Sequence, residues 1–168
     1  MIAQEFFATH LERPQGRGHT PDDAHTGAAG GAACGDLVRI SLALDESSPE
    51  GTIADAGFDA SGCGAALAAG SATVALVRGA SLLAAARVGV EEISAELGGL
   101  HPAKRHAAEL AADALHRALG AAARASAALA PPPDGAQRAL VAMSGGVDSA
   151  VAALLTARGG EEVVCVTL

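Results

Sequence analysis

Half of the 168 residues are apolar, enough for the core of one ordinary domain with chain to spare, so a disordered or fibrous class is excluded. A net charge of -8, with eleven scattered basic residues, argues against this chain alone gripping a nucleic-acid backbone, which takes clustered Lys and Arg. Three cysteines, without a signal-peptide pattern or an apolar run long enough for a bilayer, point to a reducing, cytoplasmic setting in which thiols ligate metals or react rather than form disulfides.

Three Phe and no Trp or Tyr leave the core to aliphatic and small residues, which implies close helix contacts. "MIAQEFFATHLERP" reads as a short helix ended by Pro14. The next stretch, "QGRGHTPDDAHTGAAGGAACGD", is so rich in Gly, Asp and His that it is expected to be a loop with no regular element. "LVRISLAL" puts Val38, Ile40, Leu42 and Leu44 on one face and Arg39 and Ser41 on the other, the period of a half-buried strand. "DESSPEG" is its turn, and "TIADAGFDA" runs back beside it as an antiparallel partner.

"AALAAGSATVALVR" is expected to be a helix capped at Gly79; "SLLAAARV" follows with Ser81 as N-cap, and "VEEISAELGG" is a further short helix. The longest helix opens at Pro102 and carries an apolar stripe through Leu110, Ala114 and Leu115. Its Glu109 and Asp113 read as a solvated face, and His10, His19, His25, His101 and His116 as surface or capping residues. "APPPDGAQ" cannot continue a helix and marks a boundary. Beyond it, "RALVAM" and "EEVVCVTL" are apolar runs of the kind found in strands covered on both faces, with the helix "DSAVAALLTAR" between them. That is one βαβ unit, in which Cys165 is expected to be a core thiol.

Cys34 and Asp36 lie in the loop that leads into the first strand, and Cys63 lies where the second strand passes into a helix. A hairpin brings these points to one end of the sheet. A thiol at a helix N-terminus is favoured as thiolate, the form that binds metal or carries sulfur. His106, at the start of the long helix, could add an imidazole, giving four ligands suited to tetrahedral zinc or to iron in a small cluster. Without a CxxC pair, the residues alone leave two readings open, a metal site and a pair of buried free cysteines.

In "ACGD", the strand pair, "FDASGCG" and the "HPAKRH" helix opening, residues 1 to 125 resemble the NifU/IscU-type iron-sulfur cluster scaffold. The resemblance implies an α+β fold, a small antiparallel sheet packed by helices, with Cys34, Asp36, Cys63 and His106 holding a 2Fe-2S cluster, iron or zinc. It also implies sulfur received from a cysteine desulfurase and cluster passed to acceptor proteins. One departure stands out: the family pattern has a third cysteine directly after the helix histidine, where this chain has Ala107. A degenerate scaffold that serves only as a desulfurase-docking module is therefore the alternative.

"SGGVDS" lacks the lysine of a Walker loop, which excludes a P-loop NTPase, but Gly145 and Gly146 can turn backbone N-H groups toward a phosphate. Ser144 and Ser149 add hydroxyls, Val147 lies within the turn, and Asp148 could cap the helix or help hold magnesium. With its flanks, "ALVAMSGGVDSAVAALL" resembles the pyrophosphatase loop of tRNA-specific 2-thiouridylases. The resemblance implies a scaffold domain over 1-125, an Ala/Pro-rich linker over 126-136, and over 137-168 the incomplete α/β start of an ATP-dependent thiolation enzyme. The catalytic cysteines, the tRNA surface and most of the ATP site of such an enzyme would lie after Leu168. The scaffold domain itself is no enzyme, and the fused enzyme is its expected client; a further alternative is that the chain is the N-terminal part of a protein that is chiefly an ATP-dependent tRNA 2-thiouridylase. A lone βαβ unit is expected to leave apolar strand faces uncovered.

Overall fold

A computed structural model describes residues 2-30, 35-45, 47-48, 51-125, 138-143 and 147-167. The chain clusters into two compact units, Met1–Leu129 and Ala130–Leu168.

The first unit opens with helix α1 (Ile2–Glu12) and continues through strands β1 (His25–Gly30), β2 (Leu37–Asp45) and β3 (Thr52–Ser61). These form an antiparallel sheet in the order β1-β2-β3. Helices α2 (Gly64–Val77), α3 (Leu82–Ala85) and α4 (Val90–Glu96) follow, then a 3-10 turn (Pro102–Lys104) and α5 (Arg105–Ala125). The β2-β3 hairpin follows the period-2 pattern, and Val38, Ile40 and Leu42 are fully buried. Ser81 caps α3 as expected, its side chain accepting the Ala84 N-H.

Strand β1 corrects the expectation of a structureless loop. "HTGAAG" has little intrinsic β-propensity, and what holds it is packing. Gly27, Ile40 and Phe58 form one row across the sheet. A Cβ on Gly27 would stand 2.3 Å from both the Ala114 carbonyl oxygen and the Ala118 nitrogen, so α5 presses directly on the strand backbone. At the other end of the row, the Phe58 ring fills the space beside Gly70 of α2. The sheet is thus thin under α5 and thick under α2, and the buried face of α5 is mostly alanine, with Leu115 and Leu119 among them.

The outer edge of β3 does not lie open. Phe58 exchanges backbone hydrogen bonds with Gly16 and Gly18, and Ile53 does so with Gly79 and Ala80. These segments occupy an edge that would otherwise template strand addition. His10 is a second correction: it is 4% exposed, not a surface residue. Its Nδ1 lies 2.9 Å from the buried Ser71 hydroxyl and its Nε2 3.5 Å from Glu96, which ties α1 to α2 and α4. His101 does cap, its ring accepting the Ala103 N-H ahead of α5.

The second unit consists of β4 (Arg138–Met143), α6 (Val147–Arg158) and β5 (Glu162–Thr167), with β4 and β5 parallel. Arg138 and Glu162, opposite in the register, make an ion pair at 2.7 Å. Leu140, Val164 and Val166 are exposed, and so is Cys165, which corrects its reading as a core thiol. Helix α6 packs against both strands, yet these side chains are exposed, so an apolar run alone does not tell whether a strand is covered on both faces.

Candidate metal centre

The register of the hairpin builds the site. Leu37 at the start of β2 pairs with Ser61 at the end of β3, so Asp36, just before one strand, meets Cys63, just after the other. Cys63 is the N-cap residue of α2, but its side chain makes no capping bond there. Asp36 takes over part of that work from across the sheet. Its Oδ1 accepts the Cys63 backbone N-H at 3.0 Å, and its Oδ2 accepts the Cys63 thiol at 3.1 Å. One carboxylate therefore holds the residue by both its main chain and its side chain.

His106, in the first turn of α5, brings its Nε2 to 3.4 Å from the same Oδ2. One donor atom each from Asp36, Cys63 and His106 lies within 4.8 Å of the others, the one such group of metal-ligand side chains among the described residues. Exposure is graded through the set: Asp36 is 5% exposed, the His106 side chain 40%, and Cys63 lies on the surface. A thiol, an imidazole and a carboxylate at this spacing suit zinc or iron, whose affinity rises with nitrogen and sulfur donors. Cys34 lies outside the described residues. Gly30 and Asp36, which the sequence places on either side of it, adjoin each other at this end of the sheet.

The hydrogen bond from the Cys63 thiol is the largest influence on the Asp36 carboxyl and holds it below the ordinary carboxylate range. Burial opposes this, while the Cys63 backbone N-H and the His106 imidazole reinforce it. Besides the helix terminus, the Cys63 sulfur thus meets a carboxylate at hydrogen-bond distance. A folded-state pKa below the free value of 3.8 means that the ionised carboxyl stabilises the fold at neutral pH. That stabilisation is lost as pH falls below the free value through the lowered one. Asp36→Asn should therefore be less stable than the parent at pH 7, with the gap closing toward pH 3 in urea titrations. A gap that widens on acidification would contradict this.

Three features were not read from the sequence: the burial of Asp36, the service of the Cys63 N-H as its anchor, and the approach of Lys104 to Phe7. The Lys104 ammonium lies 5.2 Å from the centre of the Phe7 ring, so the 3-10 turn just ahead of His106 leans on α1. Nothing in residue spacing signals such contacts. Ala107, which stands where the family resemblance implies a third cysteine, is fully buried. His19 pairs with Asp55 at 2.5 Å rather than with the acids of its own loop, and Arg78 lies 3.3 Å from the same carboxylate. Of the "SGGVDS" residues, Ser144, Gly145 and Gly146 lie outside the described residues, while Val147, Asp148 and Ser149 open α6. No helix among the described residues is long and apolar enough to cross a membrane.

The family described as NifU-like N terminal domain matches residues 3–127, and the tRNA methyl transferase HUP domain matches residues 137–168. The "Bifunctional protein NifU/MnmA" of Rubrobacter xylanophilus is 42% identical over 110 residues, which cover 65% of this chain and 22% of that protein. The chain thus spans about a fifth of that relative's length. "Iron-sulfur cluster assembly scaffold protein IscU 1" of Archaeoglobus fulgidus is 33% identical, with 66% of this chain and 69% of that protein covered. Among solved structures, a candidate iron-sulfur cluster assembly scaffold protein for the SUF system of Fervidobacterium islandicum AW-1 shares the fold. The TM-score is 0.51 at 17% identity, covering 68% of this chain and 94% of that one.

Proposed function

This chain belongs to the NifU-like N-terminal domain family, and from that premise we propose that residues 1-125 are a cytoplasmic scaffold on which iron or an iron-sulfur cluster is held as cargo. Cys34, Asp36, Cys63 and His106 are its ligands in this reading. The observation that carries it is the convergence of Asp36, Cys63 and His106 from three separate elements. Cys63 offers an exposed sulfur for exchange, Asp36 a fixed carboxylate, and His106 a half-exposed imidazole. The likeness to scaffold proteins of similar domain length supports the same cargo.

Residues 126-136 are proposed as a linker and 137-168 as the start of a tRNA 2-thiolation domain, the client of the scaffold. The NifU/MnmA relative and the HUP-domain match support this pairing. Tethering a carrier to its client makes transfer intramolecular at high effective concentration and shields a labile species from loss. A cysteine desulfurase is the proposed sulfur donor, and ATP and tRNA belong to the client domain. The thiolation reaction itself is assigned to that client domain.

Anaerobic incubation of the full chain with iron and sulfide, followed by desalting, tests the scaffold reading. Visible absorption of a bound cluster is expected in the parent chain and its loss in Cys63→Ala. A colourless parent chain would overturn the reading. The buried Ala107 favours one alternative, a docking module that has given up assembly. That alternative gains if a colourless chain still binds a desulfurase.

A further inference from the structure

We propose that Gly62 is the positioning residue of the metal centre, because only a residue without a side chain lets the Asp36 carboxylate lie over the Cys63 N-H. The consequence is that Asp36 is presented as a one-oxygen ligand. Its Oδ1 stays anchored on the main chain, and its Oδ2 alone faces the Cys63 thiol and the His106 imidazole.

The geometry is specific. Gly62 has φ +128°, a conformation L residues rarely adopt, and a Cβ there would stand 2.0 Å from Asp36 Oδ1 and 2.6 Å from its Cγ. It would also stand 3.0 Å from the Asp36 Cα, which cannot retreat, because the next residue, Leu37, is locked in register with Ser61. The carboxylate would have to swing away, and Oδ1 would leave the Cys63 N-H. With that anchor gone, Oδ2 loses its place between sulfur and imidazole. The hydrogen bond from the Cys63 N-H to Oδ1 does not involve the thiol, so it leaves Oδ2 as the one carboxylate oxygen that a cation shared with the sulfur and the imidazole can take, and the carboxylate is oriented before cargo arrives. This inference rests on the metal-centre reading for what the carboxylate is held to do, though not for where it is held.

The test is a cycle of four full-length chains: parent, Gly62→Ala, Asp36→Ala and the double variant. In the metal-free proteins, exchange of the Cys63 amide is followed relative to the Val74 amide in the core of α2, which removes any general loss of stability. Gly62→Ala is expected to speed relative exchange at Cys63 by about tenfold or more, the scale of a lost bond to a charged acceptor. Asp36→Ala should do the same, and the double variant no more than either. In cobalt(II) titrations, Gly62→Ala should weaken binding about tenfold in the parent background and have no effect in the Asp36→Ala background. Unchanged protection at Cys63 in Gly62→Ala would overturn the proposal, as would equal weakening of cobalt binding in both backgrounds. A parent chain that takes no cobalt at all would sink the metal-centre reading, and the exchange cycle would still decide the placement.

Discussion

Cys63→Ala is expected to weaken binding of zinc or iron(II) by about a hundredfold or more while leaving the fold intact. Outer-shell partners of metal sites are worth about 10- to 100-fold in affinity, and a first ligand sets a floor at the upper end of that range. The sulfur is also the softest donor of the described group, so its loss leaves a carboxylate and an imidazole that compete poorly with water. Stability at neutral pH should fall only modestly, because the thiol hydrogen bond to the Asp36 carboxylate is lost while Cys63 is exposed and its backbone N-H can still bond Asp36. Competition titrations with a chromophoric chelator measure the affinity. A change under threefold would show that Cys63 is not a ligand.

Phe58→Ala is expected to have the largest effect on folding, a loss of about 3-5 kcal/mol. Phe58 is the one fully buried aromatic residue among those described, at 1% exposure. Its ring fills the space that the missing side chain of Gly70 leaves on α2, where a Cβ would stand 2.3 Å from the ring edge. Helix α2 cannot settle into the cavity, because β2, β3, α1, α4 and α5 all pack against it. Against a total stability of about 5-15 kcal/mol for a natural domain, this is a large fraction. Urea titration should show a much lower midpoint with an unchanged slope, and a shift equivalent to less than about 1 kcal/mol would contradict the packing described.

The parts of the fold legible in the sequence are those with a local signature. The β2-β3 hairpin announces itself by alternation, α2 and α5 by length and composition, and Ser81 and Pro102 by their positions at helix starts. Strand β1 has no such signature, since its Gly and Ala residues matter for letting α5 approach, a contact about ninety positions distant. His10 looks like a surface residue until α2 and α4 supply Ser71 and Glu96. The apolar runs of β4 and β5 announce strands correctly, but whether a strand is covered depends on neighbouring layers that the run itself does not encode.

The same division runs through the candidate site. Hairpin topology alone brings Asp36 and Cys63 together, and the family resemblance points to His106 as their companion. What neither conveys is the hydrogen-bond arrangement: one nearly buried carboxylate that joins all three residues and holds the helix terminus. Ala107 shows the converse, a departure visible in the sequence whose consequence for cargo is a matter of chemistry.

X-ray absorption of the full chain loaded with one equivalent of zinc tests the proposed centre most directly. The proposed ligands give a mixed shell, with sulfur at about 2.3 Å and nitrogen and oxygen at about 2.0-2.2 Å, and one sulfur fewer in Cys63→Ala. A shell of nitrogen and oxygen alone, or one that Cys63→Ala leaves unchanged, would contradict it.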